Sequence, residues 1–429
     1  MVDTFSLLQK YTGISKYSQS EVITPQNIVS DMVDLLPQEV FNPDATFFDP
    51  AVKSGRFLIE IYNRLMASPL LAHIPEPDRH NHIIEKQLFG FATSPTAATV
   101  VRKALYNDPT VTGNIHFTSG KITKESVQGA FNNMRFDVVI GNPPYNDDIY
   151  LDFVTIGHSL ASQYTVMITP AKWQAKGGKK NEDFRKNIVP YMSHIFYYKD
   201  ATDIFSIDIA GGITYYSIQK EISTSVKITC GGRSELLSNW VPSMGSDLDY
   251  IDIVEKIIGH PKFRSITNAS DKRFIPVKSY FTSKNFGDVY EDLSGKYCMW
   301  SSVRCIKVPD DTFKNLSDMG KYKVYCNHNI NNKPHPHILG PNVAAVRESC
   351  LMGFGTEAEC NSIASYYSCR LIWYLAYGMK LGNICTEAFK WVPDPGAFDH
   401  IFTDQELYQK YGLTAEEINI IESVIKSRK

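Results

Sequence analysis

The chain has 429 residues, of which 43% are apolar and 21% charged, with a formal net charge of −2. That length suggests two or three domains with ample material for a core, and the composition is that of an ordinary soluble protein. No run of eighteen apolar residues occurs and the opening MVDTFSLLQKYTG lacks a signal-peptide layout, so no membrane association and a cytoplasmic setting are expected.

In chain order, Thr24-Pro25 opens a helical pattern with Ile28, Val29, Met32, Leu35 and Leu36 on one face. ATFFDP at 45–50 reads as a buried strand ending in a loop, and RFLIEIYNRLM at 56–66 as the helix after it. QLFGFAT, NIHFT, FDVVIG, YTVMIT, HIFYY and GITYYSI read as further strands, with a helix over EDFRKNIVPYM at 182–192 between two of them. Strands alternating with helical stretches over 20–230 predict an α/β fold with a largely parallel, doubly wound sheet.

After about residue 230 strands become shorter, loops longer, and aromatic and basic residues interleave, as in KSYFTSKNFGDVY at 278–290. Residues 261–340 hold 13 Lys and Arg against 7 Asp and Glu. A basic segment inside an otherwise acidic chain suits a polyanion, with Lys278 and Lys284 as candidate contacts. Near the end, Thr403 with Glu406 and Thr414 with Glu417 match capping boxes, and Gly412 sits where a helix C-cap belongs. The eight cysteines all lie in the second half, at 230, 298, 305, 326, 350, 360, 369 and 385, without a CxxC pair. Reduced structural thiols are expected there, with no zinc or redox site. CNHNINNKPHPH at 326–337 offers Cys326, His328, His335 and His337 without a carboxylate, at spacings that fit a polar loop better than a metal site.

Ligands of an open parallel sheet bind beyond the carboxyl ends of its strands, which singles out two loops. The first runs from Asp49 through Pro50, Ala51, Val52, Lys53, Ser54, Gly55 and Arg56 to Phe57. Its small residues allow close backbone approach, and the helix start offers unpaired N–H groups to a carboxylate or phosphate of a cofactor. The second is Asn142-Pro143-Pro144-Tyr145, directly after the apolar strand FDVVIG. The prolines stiffen the backbone, so the Asn142 side chain and the Pro143 carbonyl become two fixed acceptors beside the Tyr145 ring. That arrangement fits an exocyclic amino group donating both hydrogens while its base stacks on the ring.

The order Thr24-Pro25, Asp49-Pro50-Ala51 with Ser54-Gly55, then Gly141-Asn142-Pro143-Pro144-Tyr145 resembles the adenine-specific (N6) DNA methyltransferases of restriction–modification systems. It is similar to the subgroup with an N-terminal catalytic domain and a C-terminal target-recognition region. ITPAKWQAKGGKKNEDFRK at 168–186, DIAGGITYYSI at 208–218 and FTDQELYQKYGLTAEEINIIE at 402–422 extend the resemblance over most of the chain, most weakly at 230–340. The resemblance implies a Rossmann-like S-adenosylmethionine-dependent methyltransferase sheet over 1–228 and an α+β target-recognition domain with a helical tail over 229–429. It implies that Asp49, Ala51, Ser54, Gly55 and Phe57 surround the methionine end of S-adenosylmethionine, flanked by Thr24 and Pro25. Asn142 and Pro143, with Pro144 stiffening them, would hold the adenine amino group of double-stranded DNA, and Tyr145 would stack on the flipped base. Phe205 in DIFSID is the candidate for the opposite face, Lys278 and Lys284 for phosphates, and a cognate restriction endonuclease for a partner.

Three positions depart from the family pattern. Val52-Lys53 stands where Cys-Gly is common, and the Lys53 side chain is expected to point away from the cationic cofactor. LFGFATSP at 88–95 lacks the acid that holds ribose hydroxyls, leaving Thr93 or Ser94 as substitutes, and Ser119-Gly120 replaces an acid near the adenine ring. Two other readings stay open: a DNA-binding homologue with weak or no catalysis, and an amino-methyltransferase acting on RNA or protein.

Overall fold

Strands β1 (Phe47–Val52), β2 (Leu88–Ala92), β3 (Ile115–Phe117) and β4 (Phe136–Gly141) carry the apolar runs seen in the sequence; β1 and β2 are buried at every position. Continuous burial is what a parallel sheet covered on both faces requires. The computed structural model describes residues 22–119, 122–327, 331–378 and 386–426. Within these, β1 to β4 join β5 (Ala161–Pro170), β6 (Met192–Tyr198), β7 (Ile213–Ile218), β8 (Val226–Cys230) and β9 (Arg233–Leu237). The nine form one sheet of order β3-β2-β1-β4-β5-β7-β6-β8-β9. Pairs within β1 to β5 are parallel, and β7 inserts antiparallel between β5 and β6. The expected doubly wound α/β architecture is what forms.

The connecting helices are α1 (Gln26–Val33), α2 (Arg56–Ala67), α3 (Glu76–His82), α4 (Pro95–Tyr106), α5 (Lys124–Ala130), α6 (Ile149–Leu160) and α7 (Lys179–Asn187). Because side chains alternate along a strand, Phe47 joins the cluster with Ile28, Met32, Leu58 and Ile61 from α1 and α2. Phe48 joins an aromatic cluster instead, stacking on Phe136 at 4.6 Å and meeting Phe91 and Phe131 edge-on. Two packed clusters therefore grip β1 and hold the loop that follows it.

Two expectations need correction. The helix foreseen over 182–192 ends at Asn187, and a 3₁₀ turn, Val189–Tyr191, leads into β6 at Met192. Pro190 explains this, since it lacks an N–H and disfavours helical geometry in the residue before it. The division expected at 228 would cut through β8. The chain instead divides into residues 1–242 and 243–429. Gly231 and Gly232, at φ +58° and +81°, make the two-residue turn of a β8–β9 hairpin, which extends the first sheet past 228.

The second unit has a four-stranded sheet of Val277–Lys278, Cys350–Gly355, Tyr322–Cys326 and His337–Leu339, in that order. A three-stranded sheet of Cys305–Val308, Tyr297–Trp300 and Val343–Ala345 accompanies it. Helices Leu248–Ile258, Glu357–Ser368, Arg370–Gly378, Asp404–Lys410 and Ala415–Val424 complete an α+β unit. Thr414 and Glu417 form the full reciprocal cap, whereas Thr403 accepts only from the Glu406 N–H. Gly412 adopts φ +60°, as a C-cap requires. The seven described cysteines are thiols; His328, Gly120 and Cys385 lie outside the described residues. Among the described residues no three His, Cys, Asp or Glu side chains gather into a metal site, and no helix is long and apolar enough to cross a membrane.

Candidate active site

Parallel pairing sets Phe47 beside Val138 and Phe48 beside Val139, so the loops after β1 and β4 leave the sheet side by side. Their approach is close. A Cβ on Gly141 would lie 2.6 Å from Asp49 Oδ1, so only glycine leaves room there. Asp49 Oδ1 accepts from the Ala51 N–H at 2.9 Å, which folds the first loop back on itself. Gly55 then enters α2 at φ +76°, with a would-be Cβ 2.9 Å from Val101. This position needs glycine for both conformation and space.

A narrow cleft lies at this junction, lined by Thr24, Asp49, Ala51, Ser54, Gly55, Phe57 and Asn142. Six residues expected around a cofactor and Asn142 of the second loop thus converge from three separate segments. Val22, Ile23, Lys53 and Arg56 also line it and were not foreseen. Arg56 donates to the Thr24 carbonyl at 2.8 Å and Lys53 Nζ to the Val22 carbonyl at 3.2 Å. These ties link residues more than thirty positions apart, which no local pattern reveals.

Asn142 is buried, at 3% exposure. Its Nδ2 donates to the Val22 carbonyl and to Thr24 Oγ1, both at 3.0 Å. A backbone carbonyl can only accept, so the amide orientation is fixed and Oδ1 is turned the other way. That oxygen is buried with no hydrogen-bond partner, an arrangement that costs free energy unless a donor arrives. Pro143 is buried, while Pro144 and Tyr145 are half-exposed. The Tyr145 hydroxyl points inward toward the Asn142 amide, and its ring meets Tyr150 edge-on at 6.5 Å. Burial, reinforced by Tyr216, raises the Tyr145 phenol well above its ordinary range, so the ring stays neutral.

Asp49 is buried, and burial pushes its carboxyl up to about 7, against the opposing Ala51 N–H and Lys53 ammonium. Lys53 does not point away. Its Nζ lies 5.9 Å from the Tyr145 ring centroid and lines the cleft, drawn inward by the Val22 carbonyl and Asp49. The expectation of an outward lysine is therefore corrected.

The remaining expected residues fall outside the cleft. Pro25 precedes α1 as its N-cap. Thr93 spends its N–H and hydroxyl on the Val52 carbonyl, at 3.0 and 3.4 Å, and Ser94 caps α4. Phe205 is buried in the core cluster against which Tyr145 packs. Lys278 and Lys284 belong to the second unit, the former at the end of a two-residue strand, the latter exposed.

Fold and site together have the layout of a Rossmann-like methyltransferase. The family model for N-6 DNA methylases matches residues 5–221, just over half of the chain, and the chain belongs to that family of adenine-specific DNA methyltransferases. An uncharacterized adenine-specific methylase of Mycoplasma pneumoniae (strain ATCC 29342 / M129) is 26% identical over 295 residues, covering 47% of this chain and 68% of its own. Among solved structures, the ATP-dependent type ISP restriction-modification enzyme LlaBIII bound to DNA superposes with a TM-score of 0.51 at 12% identity. That match covers 81% of this chain and 36% of LlaBIII. The M protein of the type I restriction enzyme EcoKI gives a TM-score of 0.37 at 14% identity, over 51% of this chain and 49% of its own. The chain spans about half the length of that M protein and about a third of LlaBIII.

Proposed function

We propose that the chain transfers the methyl group of S-adenosylmethionine to the N6 amino group of adenine in a specific double-stranded DNA sequence, with the base flipped out of the helix. The observation that carries this reading is the buried Asn142 Oδ1, turned by two hydrogen bonds into a position without a partner. A second acceptor, the Pro143 carbonyl, follows it on the stiff Pro-Pro backbone. Accepting from both amino hydrogens draws the nitrogen out of conjugation and gives its lone pair a direction. The half-exposed Tyr145 ring supplies a stacking face for the adenine, and Phe205 is the candidate for its opposite face. Catalysis is then mostly positioning and fixed dipoles.

The cleft chemistry fits the cofactor. Asp49 offers a buried carboxylate to a cationic ligand, Gly55 an open backbone, and Thr24, Ala51, Ser54 and Phe57 the walls; Pro25 would act from the flank. When bound, S-adenosylmethionine supplies an electrophilic methyl whose C–S bond breaks with both electrons staying on sulfur. The amino nitrogen gains the methyl and sheds one proton to solvent. Lys278 and Lys284 are proposed phosphate contacts of the second unit, and a cognate restriction endonuclease a proposed partner.

Lys53 in the cleft favours one alternative, a DNA-binding homologue that methylates weakly. Radiolabelled S-adenosylmethionine offered with mixed-sequence DNA, RNA and protein separates the readings. Label recovered as N6-methyladenine in DNA, and lost by at least about a hundredfold in Asn142→Ala, is the expected outcome. Label in RNA or protein sinks the proposal, and DNA retention without label favours the binding homologue.

A further inference from the structure

The residues just beyond Tyr145 are strained. Asp147 and Asp148 follow one another at φ +49° and +57°, a left-handed conformation that single Asp residues tolerate but pairs rarely adopt. Asp148 stands at the N-cap of α6 with no side-chain cap bond. Its carboxylate instead pairs with Lys176, and one turn further along Asp152 takes Lys180 at 3.0 Å.

Both lysines come from the segment that leaves β5, whose parallel pairing with β4 puts it at the same sheet edge as Asn142. This segment is built rather than loose. Buried Trp173 packs on Phe184 at 5.5 Å and Tyr216 at 5.8 Å. Arg185 holds the Trp173 and Lys176 carbonyls at 2.7 and 2.8 Å. Residues 172–186 carry six Lys and Arg against Glu182 and Asp183, and Lys176, Lys179, Lys180 and Lys186 are exposed.

We propose that Lys176 and Lys180 are exchangeable phosphate contacts. In the free chain Asp148 and Asp152 neutralise them; on DNA, a backbone phosphate beside the target adenine replaces the carboxylates. Exposed ion pairs of this kind are weak, so a diester oxygen can take over the ammonium. The exchange releases Asp148 and with it the strained turn next to the stacking ring, coupling backbone contact to the catalytic corner. The inference rests on the DNA-methylation reading and adds a phosphate site within the catalytic unit.

The test is fluorescence anisotropy of the full chain with a mixed-sequence DNA duplex across a range of salt concentrations. Lys176→Ala and Lys180→Ala should each make the log–log salt slope shallower by about 0.9, the effect of one phosphate, while Lys180→Arg keeps the slope. Asp152→Asn, which frees Lys180, should tighten binding roughly twofold to fivefold, the worth of one exposed pair. Cofactor affinity by calorimetry should stay unchanged throughout. Unaltered slopes in both alanine variants, or weaker binding in Asp152→Asn, would overturn this inference alone. A wild type that retains no DNA duplex, or retains only an RNA duplex, overturns the proposed function as well.

Discussion

Asp49 makes the site sensitive to pH in a direction opposite to most carboxylates. Its folded value, pushed up to about 7 by burial, lies above the ordinary 3.8. The group therefore contributes most stability below about pH 4, and that contribution is lost as pH rises through 7. Ionised, it costs the free chain roughly 4 kcal/mol relative to solvent. Between pH 5 and 8 the melting temperature of wild type should fall relative to Asp49→Asn, measured by scanning fluorimetry. The same ionisation favours a cationic ligand, so S-adenosylmethionine should bind more tightly at pH 8 than at pH 6, and Asp49→Asn should flatten that dependence. Lys53 acts against it. An ammonium in the cleft repels a sulfonium but not the neutral thioether product. Lys53→Gly should tighten S-adenosylmethionine by about tenfold (~1.4 kcal/mol, by the usual conversion) and the demethylated product much less, as read by calorimetry.

The sheet elements were legible because their signals are local. FDVVIG carries the apolar run Val138-Val139-Ile140, and its continuation into Asn-Pro-Pro-Tyr marks both strand end and candidate chemistry within ten residues. Six of the seven cleft residues lie in short motifs at the end of a strand, and Thr24 was found instead at the start of a helical pattern. Lys53, Arg56, Val22 and Ile23 were not foreseen, because what places them is a set of hydrogen bonds between segments about thirty residues apart. The β8–β9 hairpin carried a usable signal, Gly231-Gly232 between strand-like runs, that the change in rhythm near 230 obscured. Thr93 looked like a ribose ligand from position alone, yet its hydroxyl faces the Val52 carbonyl. At this scale the contact between β1 and β4 is exacting. Gly141→Ala drives a methyl into Asp49 Oδ1 and should cost about 1–3 kcal/mol, lowering the denaturation midpoint and abolishing methyl transfer. Gly177→Ala, where nothing lies within 4 Å of the added methyl, should leave stability nearly unchanged.

All nine strands of the large sheet precede residue 242 and all strands of the two smaller sheets follow 243. A fragment of residues 1–242 keeps every ladder of its sheet and every cleft residue. It should fold cooperatively and bind S-adenosylmethionine within about twofold of the full chain by calorimetry, while losing discrimination between DNA sequences. Failure of that fragment to bind the cofactor would mean that the second half takes part in the pocket. The hairpin turn at Gly231-Gly232 gives this division a use beyond stability. Because β9 closes the sheet before the chain moves on, a crossover in the gene near codon 242 joins two halves without splitting a strand pair. On the reading that the second unit carries target recognition, such an exchange would bring a new target sequence in one step and leave the proposed methyl-transfer unit unchanged.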